Sequence, residues 1–230
     1  MKKTLLILLL MATARAHESP VAAPTAAPVS RLTEAEQKKI FEEAKAASAR
    51  EDYARALELF HQLAAVGHAD AMWSLGLMYE RGHGVALDYA TAKRWFEKQV
   101  AAGDSTGYWS IGRLYENGGP GLEQNYASAK QWYEKAIDAG DSNVYGFIGK
   151  LYEVGGPGIE QNYATAKKWY EKVIAAGDSL GYLDIGGLYE QGGPGLERDY
   201  ASAKRWYEKA IAAGDRDGYW QIGLLYQQGG

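Results

Sequence analysis

Apolar positions recur at helical spacing along most of the chain. Tyr126, Ala129, Tyr133 and Ala136 follow one another at intervals of three, four and three residues, so they share one face of a predicted helix. Asn125, directly before them, is a residue type that caps helix N-termini, because its side chain accepts hydrogen bonds from the first backbone N–H groups. We call helices of this type B helices.

A second amphipathic pattern precedes each B helix. Over 106–117, Tyr108, Ile111, Gly112 and Tyr115 lie on one predicted helical face. Gly112 has no side chain, which predicts that the backbone of a neighbouring helix approaches closely there. We call helices of this type A helices.

The A and B patterns recur with a period of 37 residues. Aromatic residues hold their positions in successive units: Tyr89, Tyr126, Tyr163 and Tyr200; Trp95, Trp132, Trp169 and Trp206. A fixed period of this length is typical of a solenoid of stacked units. The first A helix is predicted to begin at Thr33, which has capping-box spacing to Glu36, and the last to span about 217–228. The sequence therefore predicts an all-α, α-α superhelix of about five repeats over 32–230.

The first 16 residues predict a cleavable signal peptide. Lys2-Lys3 forms a basic start, an apolar run of 11 residues follows over 4–14, and Ala14-Arg15-Ala16 fits a cleavage site after Ala16. The alternative, a buried N-terminal helix, is disfavoured by the order of these three regions. The Pro- and Ala-rich residues 17–31 are typical of an extended tether. We therefore expect a periplasmic or secreted protein.

Composition narrows the function classes. The 230 residues are 47% hydrophobic and 23% charged, which is the globular range, and the formal net charge is −4. An acidic chain without a basic run argues against nucleic acid as a partner. The absence of cysteine removes disulfides, thiolate metal sites and cysteine nucleophiles. We expect no membrane span, because the apolar run at the start is shorter than the roughly 20 residues a span needs.

The repeat resembles the Sel1-like repeat family, a branch of the tetratricopeptide-like helical repeats. The resemblance lies in the run of residues 75–85, LGLMYERGHGV, in Asp88-Tyr89-Ala90 through Trp95, and in Ala101-Ala102-Gly103. It covers roughly 52–230, with a looser match over 33–51. It implies a right-handed α-solenoid that binds other proteins, and neither a cofactor nor a metal is expected.

Apparent catalytic motifs do not fit their required context. Residues 177–181, Gly-Asp-Ser-Leu-Gly, match a nucleophile-elbow string, but a helix rather than a strand precedes Ser179. Ala69 and Arg216 occupy the same repeat position, and no histidine follows His83. Some secreted members of the family that the chain resembles are linked to β-lactam binding, but they are cysteine-rich. A hydrolase is therefore the least favoured hypothesis.

Variable positions on the A helices form the candidate binding surface. Three columns, spaced by four and three residues, differ between units and fall on one stripe away from the packing face. The resemblance implies that A helices line the concave surface of the superhelix. Tryptophan and arginine are enriched at binding hot spots, although large aromatic residues also fill interiors. The candidate partner-binding residues are Trp73, Leu77, Trp109, Arg113, Glu116, Lys150, Glu153, Leu183 and Trp220.

These observations favour a non-catalytic, monomeric module that binds another protein. The resemblance implies a specific form, an exported immunity protein that neutralises a toxin such as a type VI secretion effector, and an acidic chain suits a basic partner cleft. An envelope regulator or scaffold remains the alternative.

Overall fold

The computed structural model describes residues 32–227, which form eleven α-helices and no β-strand. The predicted signal peptide and tether lie outside the described residues. In chain order the helices are α1 (Glu34–Ala49), α2 (Tyr53–Ala64), α3 (Ala69–Arg81), α4 (Tyr89–Ala101), α5 (Thr106–Asn117), α6 (Tyr126–Asp138), α7 (Tyr145–Val154), α8 (Tyr163–Ala175), α9 (Leu180–Gln191), α10 (Tyr200–Ala212) and α11 (Asp217–Gln227). A short 3₁₀ turn, Ser142–Val144, leads into α7.

Each helix packs against the helix before it and the helix after it. The odd-numbered helices are the predicted A helices, and the even-numbered helices are the predicted B helices. A stack in which every unit contacts only its sequence neighbours is an α-solenoid, which confirms the predicted fold class.

Side-chain caps explain where the helices begin. Thr33 and Glu36 form the predicted capping box of α1, and Asn125 accepts from the backbone N–H of Ser128 at 2.8 Å. The N-terminus of α9 is capped by a different residue type. Ser179 makes no capping bond there, and Asp178 accepts from the backbone N–H of Leu180 at 2.9 Å instead.

Aromatic rings of the B helices fit onto glycines of the A helices. Tyr133 of α6 is fully buried, and a Cβ atom added to Gly112 of α5 would lie only 2.5 Å from its Cε1 atom. The close neighbour of Gly112 is therefore a tyrosine ring and not, as the sequence suggested, a helix backbone. The same contact joins Phe96 to Gly76, Tyr170 to Gly149 and Tyr207 to Gly186.

Three Gly-Gly-Pro-Gly loops, at residues 118–121, 155–158 and 192–195, each join an A helix to its B helix and also form a hydrogen bond to the preceding repeat. In the loop between α5 and α6, the carbonyl oxygen of Pro120 accepts from the backbone N–H of Tyr89, at the start of the preceding B helix, at 2.8 Å. Gly119 lies against the ring of the same tyrosine, where a Cβ atom would approach to 2.8 Å. The loop thus satisfies a free N–H group at a helix N-terminus one repeat away. Pro157 and Pro194 accept in the same way from Tyr126 and Tyr163.

Candidate protein-binding surface

The nine candidate residues, which we call the A-helix stripe, differ strongly in exposure. Three of them are open to solvent: Trp73, Lys150 and Trp220. Their exposed fractions are 39% for Trp73, 68% for Trp220, and 54% for the side chain of Lys150. The other six are partly buried: Leu77, Trp109, Arg113, Glu116, Glu153 and Leu183. Only part of the stripe therefore offers contact area without rearrangement.

Trp109 joins two consecutive A helices. Its indole lies edge-on to Phe147 of α7, with 5.9 Å between ring centroids, and the Arg113 guanidinium lies 5.1 Å from the indole centroid. Phe147 in turn packs against the buried ring of Tyr133 at 5.5 Å. The stripe is therefore not fully separate from the packing face, because Trp109 fills the space between two repeats.

Arg113 also connects two repeats, through a buried carboxylate. Its Nη2 atom lies 2.6 Å from Oε2 of Glu80 on α3, whose side chain is only 7% exposed. A buried carboxylate needs a charged or hydrogen-bonding partner to offset the loss of water. Phe96, which lies in the column of Tyr133, brings no hydroxyl group to this repeat. Arg113 from the next repeat provides the partner for Glu80.

The glutamates of the following repeats accept bonds from buried tyrosines. Tyr133 donates its hydroxyl to Glu116 at 2.5 Å, Tyr207 donates to Glu190 at 2.6 Å, and Tyr170 donates to Glu153. Burial, together with the neighbouring Glu116 carboxylate, holds the pKa of Tyr133 far above its usual value. Tyr133 therefore stays a hydrogen-bond donor at every physiological pH. Glu116 and Glu153 each bind a buried tyrosine of the repeat, so they hold the repeat together in addition to any contact with a partner protein.

The junction of α7 and α9 carries two close carboxyl groups. Burial raises the pKa of Asp184 to about 6, and the charge of Glu153 adds to this rise while Lys150 opposes it. Lys150 itself pairs with Glu153 at 2.6 Å. At neutral pH Asp184 is therefore ionised in a partly dry position, which gives this part of the A-helix stripe a negative local field.

The motifs that resembled catalytic sites form no catalytic constellation among residues 32–227. Ser179 Oγ lies 3.5 Å from a carboxylate oxygen of Asp215. The histidines among the described residues are His61, His68 and His83, which belong to much earlier helices and loops. These histidines pack against aromatic rings, as His68 does on Phe41 with 5.0 Å between ring centroids. Within the same range no three His, Asp or Glu residues cluster as metal ligands would.

Among the described helices, none combines the length and the apolar character that crossing a bilayer requires.

Five consecutive segments of the chain match the family model of the Sel1 repeat. The matched segments are residues 46–68, 69–104, 105–141, 145–178 and 179–215. Together they span well over half of the sequence. The chain belongs to the Sel1 repeat family. None of the curated proteins compared with this Sel1 repeat chain matches it significantly.

Solved structures with the same fold include two Sel1-type proteins. One is c5321, a protective antigen present in uropathogenic Escherichia coli strains and displaying an SLR fold, with a TM-score of 0.62 and 28% identity. That match covers 85% of this chain but only 42% of c5321. The other is a Sel1 repeat protein from Oxalobacter formigenes, with a TM-score of 0.56, 27% identity, and coverage of 77% and 72%. Sel1 repeats form a protein-interaction fold.

The Sel1 repeat alignment within the chain explains why Asp184 was missed from the sequence. Its column contains Ser74, Ser110, Phe147, Asp184 and Gln221, so no shared residue type marks it. The column lies one position beyond that of Trp109, on the side of the helix that meets the previous A helix. Its variability was the only available signal.

Proposed function

We propose that the chain is a non-catalytic, exported Sel1 repeat protein that binds a partner protein through the A-helix stripe. One observation carries the proposal: Trp73 and Lys150 are exposed, and in some other repeats glycine or leucine occupies their columns. The repeat does not need these residue types for packing. Exposed tryptophan is among the residues that contribute most at interfaces.

Charge supports a basic partner surface. The formal net charge is −4, and the predicted loss of a basic signal peptide makes the mature protein more acidic. Asp184, whose pKa burial raises to about 6, adds a carboxyl group to the stripe beside the ion pair of Lys150 and Glu153. Opposite charges on two partners accelerate their encounter and favour the correct orientation.

The specific form of the proposal is an immunity protein that neutralises a toxin in the cell envelope. Its support is the predicted export, through Lys2-Lys3, the apolar run and the Ala14-Arg15-Ala16 cleavage site, together with the acidic charge. Such a protein works by occupying a surface on the toxin, so it needs no catalytic residue. The alternative, an envelope scaffold, would use the same kind of surface as an immunity protein but would bind a different partner.

Photocrosslinking in cells tests where the partner binds. A photoreactive phenylalanine analogue replaces Trp73 on the stripe or, as a matched control, the exposed Gln131 on B helix α6. We expect a discrete crosslinked product from position 73 and none from position 131, with the partner identified by mass spectrometry. A toxin in that product supports immunity, and an envelope assembly protein supports a scaffold. Crosslinking from position 131 alone would contradict the proposal.

A further inference from the structure

The charge of the chain is divided unevenly between its helices. The B helices α4, α8 and α10 each carry three basic residues and one acidic residue, and α6 carries two of each. These four helices therefore have a net charge of +6, although the whole chain has a net charge of −4. The basic residues recur once per repeat and not as a run, so neither composition nor a search for basic runs reveals them.

Four of these basic residues are neutralised within their own helix. Lys93 pairs with Glu97, four residues later, at 2.7 Å, and the same pair recurs in each later B helix at 2.6–3.9 Å. Within residues 32–227, the other basic residues of these helices form no salt bridge, and all of them are exposed. These cations form two columns, four residues apart: Arg94, Lys168 and Arg205, and then Lys98, Lys135, Lys172 and Lys209.

The cations of the second column lie on tryptophan rings. The ammonium nitrogen of Lys98 lies 3.9 Å from the ring centroid of Trp95, one turn earlier on α4. The same contact, at 3.6–3.8 Å, joins Lys135 to Trp132, Lys172 to Trp169, and Lys209 to Trp206. A lysine stem that lies along an aromatic ring keeps its charged end in water and gains a cation–π attraction. Each of these helices thus presents an ammonium group together with a partly buried indole.

Neighbouring B helices bring these groups into one layer. Lys167 of α8 lies 5.9 Å from the ring centroid of Trp206 on α10. At the other end of the layer, the ring centroids of His61 on α2 and Trp95 on α4 lie 5.3 Å apart. We call the seven exposed cations of the two columns, with the four tryptophans beside them, the B-helix face. This face is an array spread over four helices and not a pocket for a single ion.

We propose that the B-helix face binds the surface of a bilayer that contains anionic phospholipids. Negative headgroups attract lysine and arginine side chains at the surface, and tryptophan favours the level of the headgroups. Lipids diffuse within the bilayer, so their phosphates adjust to the spacing of the two columns. This attachment needs no membrane-spanning helix.

The tryptophans favour lipid over a soluble polyanion. Charge alone suffices to bind a sulfated or phosphorylated polymer, whereas an indole beside each ammonium group is the combination typical of a membrane interface. The A-helix stripe belongs to the other helices of each repeat. A chain attached through its B helices therefore keeps that stripe available to a partner protein, and the two proposals are independent.

Co-sedimentation with vesicles tests the proposal. The chain of residues 17–230 is used, because it keeps every described residue and leaves out the apolar run over 4–14, which would bind lipid by itself. We expect this chain to sediment with vesicles of equal parts phosphatidylcholine and phosphatidylglycerol and to stay in solution with phosphatidylcholine alone. High salt should release it, because salt screens exposed charges.

Two pairs of substitutions locate the binding face. Lys168→Gln with Arg205→Gln removes two cations of the first column and should lower the partition coefficient by about tenfold or more. Lys38→Gln with Lys39→Gln on α1 is the matched control, because it makes the same change in net charge at two exposed positions of an A helix. We expect the control to bind the anionic vesicles nearly as well as the unsubstituted chain.

A fluorescent label gives a second readout, since the chain has no cysteine of its own. An environment-sensitive fluorophore is attached to Gln131→Cys on α6 or to Trp73→Cys on the A-helix stripe; both positions are exposed. Anionic vesicles should increase the emission and shift it to the blue at position 131 and leave position 73 unchanged.

Four results would overturn the proposal. They are equal binding to pure phosphatidylcholine, absence of binding to the anionic vesicles, an equal loss in the Lys38 and Lys39 variant, and a fluorophore response at position 73 without one at position 131. Binding to heparin without binding to the anionic vesicles would make a soluble polyanion the ligand. None of these results changes the photocrosslinking test at Trp73, which reports on the A-helix stripe.

Discussion

Tyr133→Ala is expected to lower the free energy of unfolding by about 3–5 kcal/mol, the usual cost of removing a large buried aromatic side chain. Tyr133 is fully buried, its ring lies on Gly112, and its hydroxyl donates to Glu116 at 2.5 Å. The substitution therefore opens a cavity between α5 and α6 and removes a donor from a partly buried carboxylate. Urea denaturation followed by circular dichroism measures the loss.

Tyr133→Phe is the matched control for this prediction. It keeps the ring and removes only the hydroxyl bond, so the expected loss is about 1–2 kcal/mol. Phe96 occupies the same column in an earlier repeat, which shows that the site accepts phenylalanine. If alanine cost no more than phenylalanine, the ring would not be the main contact between the two helices of the repeat.

Arg113→Ala is expected to destabilise the protein by about 2–3 kcal/mol. Removing one member of a buried ion pair costs about 3–5 kcal/mol, and we reduce this because the Arg113 side chain is 26% exposed. The loss arises mainly from Glu80, whose buried carboxylate would lose its partner, the guanidinium 2.6 Å away. Thermal and urea denaturation of the free protein measure it.

A double variant separates this pairing from general packing. Glu80→Leu with Arg113→Ala removes both charges, and we expect it to regain more than half of the stability that Arg113→Ala loses. If the double variant were less stable than Arg113→Ala, the cost would come from the stem of Arg113 against Trp109 and not from an isolated Glu80 charge. In both cases the stability of an Arg113 variant must be measured before a loss of partner binding is attributed to a lost contact.

The fold followed from the sequence because the repeat supplies many copies of each signal. The spacing of Tyr126, Ala129, Tyr133 and Ala136 marked a face that the structure buries at its last three positions, and Asn125 caps α6 as predicted. Thr33 and Glu36 likewise form the expected capping box. These signals are local, within about one helical turn, so periodicity alone suffices to find them.

The candidate site was less accessible from sequence because its contacts run between repeats. The column of Trp109 holds different residues in different units, which suggested a free surface. Trp109 nevertheless packs on Phe147, a residue of the next repeat. Arg113 varies for a related reason, since it compensates for a missing tyrosine hydroxyl beside Glu80. Variation within a column thus reflects either freedom to bind or compensation by a neighbour, and only the distances between helices distinguish the two.

The central claim is that the A-helix stripe binds another protein. Titration calorimetry with the purified partner that photocrosslinking identifies tests it. Trp73→Ala with Lys150→Ala changes two of the exposed side chains of the stripe. Because Trp73 is only 39% exposed and Lys150 pairs with Glu153, the melting temperature of the free variant is measured beside its affinity. We predict that this double variant binds the partner about 2 kcal/mol more weakly, roughly a thirtyfold higher Kd. Gln131→Ala with Lys168→Ala on the B helices is the control and should bind normally. Unchanged affinity of the stripe variant, or an equal loss in the control, would contradict the account.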